Sequence, residues 1–184
     1  MAFNLDLSQG SADHNGKLET YSVAASHTTL LAPGDIVDLS GTADAEGKAG
    51  VDAGEAGAPI VGIVAGFEPN FVGEQLTETG LPAGKEGKAR VHIDPNLNFI
   101  ADVSGDPLTV DQVGLNADAD FTAATKVGGL TVSNMAIDSD TAAVTNTLQF
   151  RIVGLVPNAD GEVDGTKARV RFNNTRLHSG TAGV

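Results

Sequence analysis

Cysteine and tryptophan are absent from this 184-residue chain, and tyrosine occurs once. Without thiols there can be no disulfide framework, iron–sulfur cluster, thiolate zinc site or cysteine nucleophile. Seven phenylalanines and one tyrosine leave little material for the stacking platforms of a sugar groove, which weakens glycosidase and lectin readings. Basic residues are also scarce: 11 Lys+Arg stand against 24 Asp+Glu, for a net charge of −13. Affinity for phosphate backbones comes mainly from Lys and Arg that release counterions, so nucleic acid is not expected as a partner. No stretch approaches the ~18 apolar residues of a membrane span. Met1 to Gly10 lack the basic start and apolar run of a signal peptide. The expectation is a soluble chain made in a cytoplasm, with no membrane partner.

What is present is enough to fold. Val, Leu, Ile and Phe total 47 residues, above the ~20% level below which high net charge implies disorder. Their period is two. Lys88-Ala89-Arg90-Val91-His92-Ile93 and Lys167-Ala168-Arg169-Val170-Arg171-Phe172 alternate small or apolar residues with polar ones, as half-buried strands do. Thr147 to Ile152 alternates likewise, as do Phe3, Leu5 and Leu7 with Asn4 and Asp6. Short apolar runs at Ile36-Val37, Ile60 to Val64 and Leu97 to Ala101 are bounded by Gly, Pro, Asn and Asp, the residues that turns require. The best helix candidate, Val110 to Ala124, is cut by Gly114 and studded with Asn and Asp. The pattern predicts an all-β protein, a compact barrel or sandwich.

Long loops are expected at Ser40 to Ala58 and Glu68 to Gly87, both rich in Gly, Ala and acid. Loops longer than ~12–15 residues in a compact domain usually carry function or are ordered by a partner. Residues 1–28 are polar with scattered apolar positions and read as an extended N-terminal arm, leaving 29–184 as the β domain.

The clearest organisational signal is a repeat. Ile60-Val61-Gly62-Ile63-Val64, Pro69-Asn70 and Lys88 to Ile93 recur in order as Ile152-Val153-Gly154-Leu155-Val156, Pro157-Asn158 and Lys167 to Phe172. This points to an internal pseudo-two-fold duplication, with halves at about 29–95 and 96–178, each completing the other's core. An isolated hairpin is marginal in water.

Candidate chemistry is sparse. His14, His27, His92 and His178 have no metal-clamp spacing, and His92 is expected on the polar face of its strand. There is no nucleophile elbow, phosphate-binding loop or dinucleotide fingerprint. Asn158, Asp160, Glu162 and Asp164 alternate as in a calcium loop. The required Gly is replaced by Val163, however, and the downstream bidentate Glu is missing, so a solvated hairpin loop is expected. No catalytic residue, cofactor or metal is assigned.

Charge is unevenly placed. Lys167, Arg169, Arg171 and Arg176 lie within ten positions, three of them on one face of the last strand, while Asp35 to Asp164 is mostly acidic. Opposed patches steer and register protein–protein contacts. The same charges equally suit an edge strand protected from aggregation. The candidate partner contacts are therefore Phe3, Leu5 and Leu7 of the arm together with Lys167, Arg169, Arg171 and Arg176.

The order Pro33-Gly34-Asp35-Ile36-Val37-Asp38-Leu39-Ser40-Gly41, Ala58-Pro59-Ile60-Val61-Gly62-Ile63-Val64, Val91-His92-Ile93-Asp94-Pro95-Asn96-Leu97-Asn98-Phe99, Val113-Gly114-Leu115-Asn116-Ala117-Asp118, Phe150 to Val156 and Arg169 to Asn174 resembles the head decoration, or structural cement, proteins of tailed bacteriophages. The likeness spans about residues 30 to 175. It implies a non-enzymatic virion protein, assembled in the host cytoplasm, that binds the outer capsid surface and bridges neighbouring major capsid proteins. It implies a homo-oligomer, for which a trimer on local three-fold axes is favoured over a dimer. The alternative is a tail, fibre or other surface β module that binds a host receptor.

Overall fold

The computed structural model describes residues 3–6, 18–69, 71–72, 75–76 and 79–183. Strand follows strand along these residues: β1 (Asn4–Leu5), β2 (Leu18–Val23), β3 (Ile36–Ala43), β4 (Ala49–Ala53), β5 (Gly62–Phe67), β6 (Phe71–Val72), β7 (Gln75–Leu76), β8 (Gly87–His92), β9 (Asn98–Ser104), β10 (Asn116–Ala117), β11 (Ala119–Asp120), β12 (Thr125–Val127), β13 (Leu130–Val132), β14 (Ala136–Asp138), β15 (Phe150–Leu155) and β16 (Lys167–Phe172). The expected all-β class holds. The helical possibility at Val110 to Ala124 reduces to one 3-10 turn, Val110–Gln112.

Five strands close the first barrel, in the order β2-β4-β3-β5-β8. The second unit runs β10-β15-β16-β9-β14-β11. Only Asp118 separates β10 from β11, and the Asp138 N–H bonds to the Asp118 carbonyl at 3.0 Å, so this path also returns on itself.

The two units share their strand order. In the first, Val64↔Val91 is followed by a bulge, then Gly66↔Arg90 and Phe67↔Ala89. In the second, Ile152↔Val170 is followed by a bulge, then Gly154↔Arg169 and Leu155↔Ala168. Each barrel has one parallel contact, Ser22↔Gly50 between β2 and β4, and Ile137↔Val103 between β14 and β9. The remaining ladders match too: Val37↔Gly62 with Ala117↔Phe150, and Leu39↔Val51 with Ala119↔Ile137. The counterparts are thus β2 and β9, β3 and β10–β11, β4 and β14, β5 and β15, β8 and β16.

This register corrects the repeat in two ways. Val64, not Ile60, stands where Ile152 stands, so the sequence match is displaced by four residues; the shifted alignment also lays Pro69-Asn70 on Pro157-Asn158. The units span 18–92 and 98–172. β2 is therefore a stave of the first barrel and not part of an arm, and the first half begins well before residue 29. Ser40 to Ala58 is likewise no open loop, because β3 and β4 form a hairpin through it. Its turn is held by the Asp44 carboxylate, which accepts the N–H groups of Glu46 and Lys48 at 3.1 and 2.7 Å. Gly, Ala and Thr carry too little hydrophobic contrast to betray such a strand.

Inward residues correspond as the ladders do. Val37, Val51, Val64, Ala89 and Val91 fill the first barrel, and Ala117, Ile137, Ile152, Ala168 and Val170 fill the second, all buried. Ile36, Ile60 and Ile63 pack into the second cluster, so the barrels share a core. Four phenylalanines anchor it. Phe3 stacks on Phe150 at 4.9 Å, Phe150 lies 5.7 Å from Phe172, and Phe172 meets Phe99 edge-on at 5.1 Å.

Candidate interaction surfaces

The basic final strand is the first candidate. In β16, Ala168, Val170 and Phe172 point inward and are buried. The basic side chains between them are already engaged. Lys167 pairs with Asp102, Arg169 pairs with Asp6, and Arg171 Nε donates to Asn98 Oδ1 at 3.0 Å. Arg176 grips Asp38 with both Nε and Nη2, which raises its already high pKa. These four residues do not form an open basic stripe: Lys167, Arg169 and Arg176 neutralise acids of the same chain, and Arg171 is held by the Asn98 amide. Exposed pairs of this type stabilise by ~0–1 kcal/mol. Asp6 differs, being only 2% exposed, so its pair with Arg169 is a buried one.

The apolar arm is corrected similarly. Phe3 is 4% exposed, Leu5 packs against the second core, and β1 pairs with β9 through Asn4↔Ile100 and Leu5↔Phe99. Phe3 and Leu5 are thus intramolecular contacts. Leu7 lies outside the described residues.

Exposed apolar surface sits elsewhere. β12 and β13 form a two-stranded hairpin that turns at Gly128 (φ 56°) and Gly129 (φ 86°). Both φ values lie in the left-handed region that glycine tolerates without strain. Val127 and Leu130 face each other across this turn, 61% and 57% exposed. The base is fixed where the Thr131 N–H donates to Thr79 Oγ1 at 2.8 Å and Asn134 Nδ2 donates to the Ala123 carbonyl at 2.7 Å. The hairpin presents an apolar pair on a tethered ribbon.

A cavity of about 540 Å³ opens at one end of the first barrel, between Val23, Leu81, Thr42 and Lys88. Lys88 and Glu46 make a 3.4 Å ion pair there, and Ser22 Oγ donates to the carbonyls of Lys48 and Ala49. Ser22 is therefore committed to the backbone. Among the described residues no three His, Cys, Asp or Glu side chains are grouped to hold a metal ion. In the Asn158 loop, Asn158 Oδ1 accepts the N–H groups of Asp160 and Glu162, and Asn158 Nδ2 donates to Asp164 at 3.0 Å. The alternating polar side chains seen in the sequence thus close a turn. His92 is half-buried and meets Phe99 edge-on, with ring centroids 5.8 Å apart, where the polar face of the strand was expected.

Buried polar groups tie the two barrels together. Gln149 is fully buried; its Oε1 accepts the Ala119 N–H at 3.0 Å, and its Nε2 donates to the carbonyls of Glu55 and Ala58 at 2.9 and 2.7 Å. Asp118 accepts the Gln149 N–H, and burial raises its carboxyl pKa. Asp35 accepts the Ala32 N–H at 2.7 Å and bonds to Ser133 from the second unit, while burial pushes its pKa up to about 6. Alternation marked the strands but carried no sign of these polar ties, which depend on contacts far apart in sequence.

Three comparisons with known proteins add no relative. No family model, curated protein or solved structure matches the chain.

Proposed function

We propose that this chain is a non-enzymatic structural protein of a tailed-phage virion, bound to the outer surface of the capsid and bridging neighbouring major capsid proteins. The duplication carries this reading. Two barrels of one strand order, joined through a common core, present related surfaces at two places on one body. Such a body can engage two related neighbours, and linked weak contacts hold far better than either alone. The resemblance to head decoration proteins supports the same assignment. A net charge of −13 suits many copies crowded on one shell, since like charges keep them apart. Assembly as trimers, each subunit reaching a different capsid protein, belongs to the proposal.

The experiment is to incubate purified protein with undecorated heads of the phage that encodes it. Co-sedimentation and a raised head-disruption temperature are expected. Failure to bind heads, or binding to tails alone, would falsify the assignment.

A further inference from the structure

One strand edge distinguishes the barrels. Asn98–Ile100 of β9 is bonded on both sides, to β16 and to β1, and the Asp6 N–H donates to the Asn98 carbonyl at 2.8 Å. The same edge in the first barrel is Leu18–Thr20 of β2. Among the described residues it makes a ladder with β8 alone, since β4 reaches β2 only at Ser22. In an antiparallel pair the N–H and C=O of one residue point to the same side. The Asp6–Asn98 bond therefore turns the backbone groups of Asn98 and Ile100 towards β1, and their counterparts Leu18 and Thr20 turn theirs away from β8. Leu18 and Glu19 are exposed. An unpaired edge of this kind is a template for an added strand.

Charge indicates which strand would fit. In the second barrel Arg169, opposite Ile100, pairs with Asp6 of the added strand. Its counterpart Arg90, opposite Thr20, is exposed and makes no ion pair among the described residues. The chain's own segment of matching chemistry, Phe3 to Asp6, is already buried on β9. Among the described residues no other segment of this chain lies along that edge, and a second protein is the donor that fits.

We propose that the Leu18–Thr20 edge accepts an extended acidic segment of a partner chain, which pairs antiparallel as β1 does on β9 and places a carboxylate on Arg90. This inference rests on the duplication and not on the capsid assignment, so its test uses no capsid.

A labelled peptide with the sequence of residues 2–8 is the probe, titrated into the full chain by fluorescence anisotropy. Saturable binding is expected. Thr20→Pro removes one outward N–H and leaves the β8 ladder intact, a change that edge strands tolerate; it should weaken binding at least ~10-fold. Arg90→Glu should weaken binding of this peptide and strengthen binding of a second peptide carrying Lys in place of its Asp. That exchange keeps the test decisive even if the proline variant misfolds. Absence of saturable binding, or affinities indifferent to Arg90→Glu, would overturn the proposal. Self-association in sedimentation that Thr20→Pro abolishes would assign the edge to a second copy and overturn it as well.

Discussion

Gly34 and Gly114 occupy one position in two barrels. Gly34 donates its N–H to the Val64 carbonyl at 2.8 Å and Gly114 donates to the Ile152 carbonyl at 2.9 Å, with φ of 90° and 96°. The next residues repeat the agreement, as Val64 N–H bonds to Asp35 and Ile152 N–H bonds to Leu115. A side chain at either glycine would meet the left-handed penalty. Gly34→Ala and Gly114→Ala should each cost about 1–2 kcal/mol. Because the barrels share a core, thermal melts of both variants should show one cooperative transition at similarly lowered temperature. Two separate transitions would contradict the shared core.

Gln149 ties the units through two hydrogen bonds, to the Glu55 and Ala58 carbonyls. Gln149→Leu keeps most of the volume but leaves the Ala119 N–H without its acceptor and the Ala58 carbonyl without its donor, and reduces the Glu55 carbonyl to the 3.4 Å bond from the Ala58 N–H. Buried groups left unpaired cost about 1–3 kcal/mol each, so a loss of about 2–4 kcal/mol is expected in urea unfolding. A change within about 0.5 kcal/mol would show that the tie is dispensable.

Asp35 gives the fold a defined pH response. Its carboxyl is fully buried, and burial raises its pKa from 3.8 to about 6, against the opposing bonds from Ser133 and Ala32. A raised folded-state pKa means that its contribution is complete below pH 3.8 and is lost as pH climbs through about 6. The loss is on the order of 2–3 kcal/mol. Asp35→Asn should remove that dependence, so the variant gains on the wild type between about pH 4 and about pH 6, and the difference is level above that. Parallel stability curves across this window would refute the assignment.

An ion pair between Asp6 and Arg169 joins the backbone ladder and the Phe3 packing in holding the N-terminal strand. Arg169→Met takes the guanidinium away from the buried Asp6 carboxylate, and breaking a buried pair costs about 3–5 kcal/mol. Release of β1 relieves that cost, so chymotrypsin should cut after Phe3 or Leu5 at least ~10-fold faster than in the wild type. Asp6→Asn combined with Arg169→Met should restore protection. Unchanged cleavage of the single variant would mean that Phe3 packing holds the strand unaided.

Much of this architecture was legible in the sequence. Alternation at Lys88 to His92 and Lys167 to Phe172 marked two real counterpart strands, because their inner residues are Ala and Val on one buried face. The slip in the repeat arose because a Val/Ile/Gly run resembles itself when shifted, and a bulge leaves no mark in composition. The partners of the basic residues are not visible in the local sequence because their acids lie elsewhere in the chain: Asp6 is 163 positions from Arg169, and Asp38 is 138 from Arg176. Arg90 carries the opposite lesson. It looks like Arg169 in sequence, and only the ladders reveal that its partner strand is missing among the described residues.

The most direct measurement is a density map of phage heads assembled with this protein. The capsid assignment predicts two adjoining barrels on the outer surface, lying across a boundary between neighbouring capsid subunits. Heads without such density, or density confined to the tail, would contradict it.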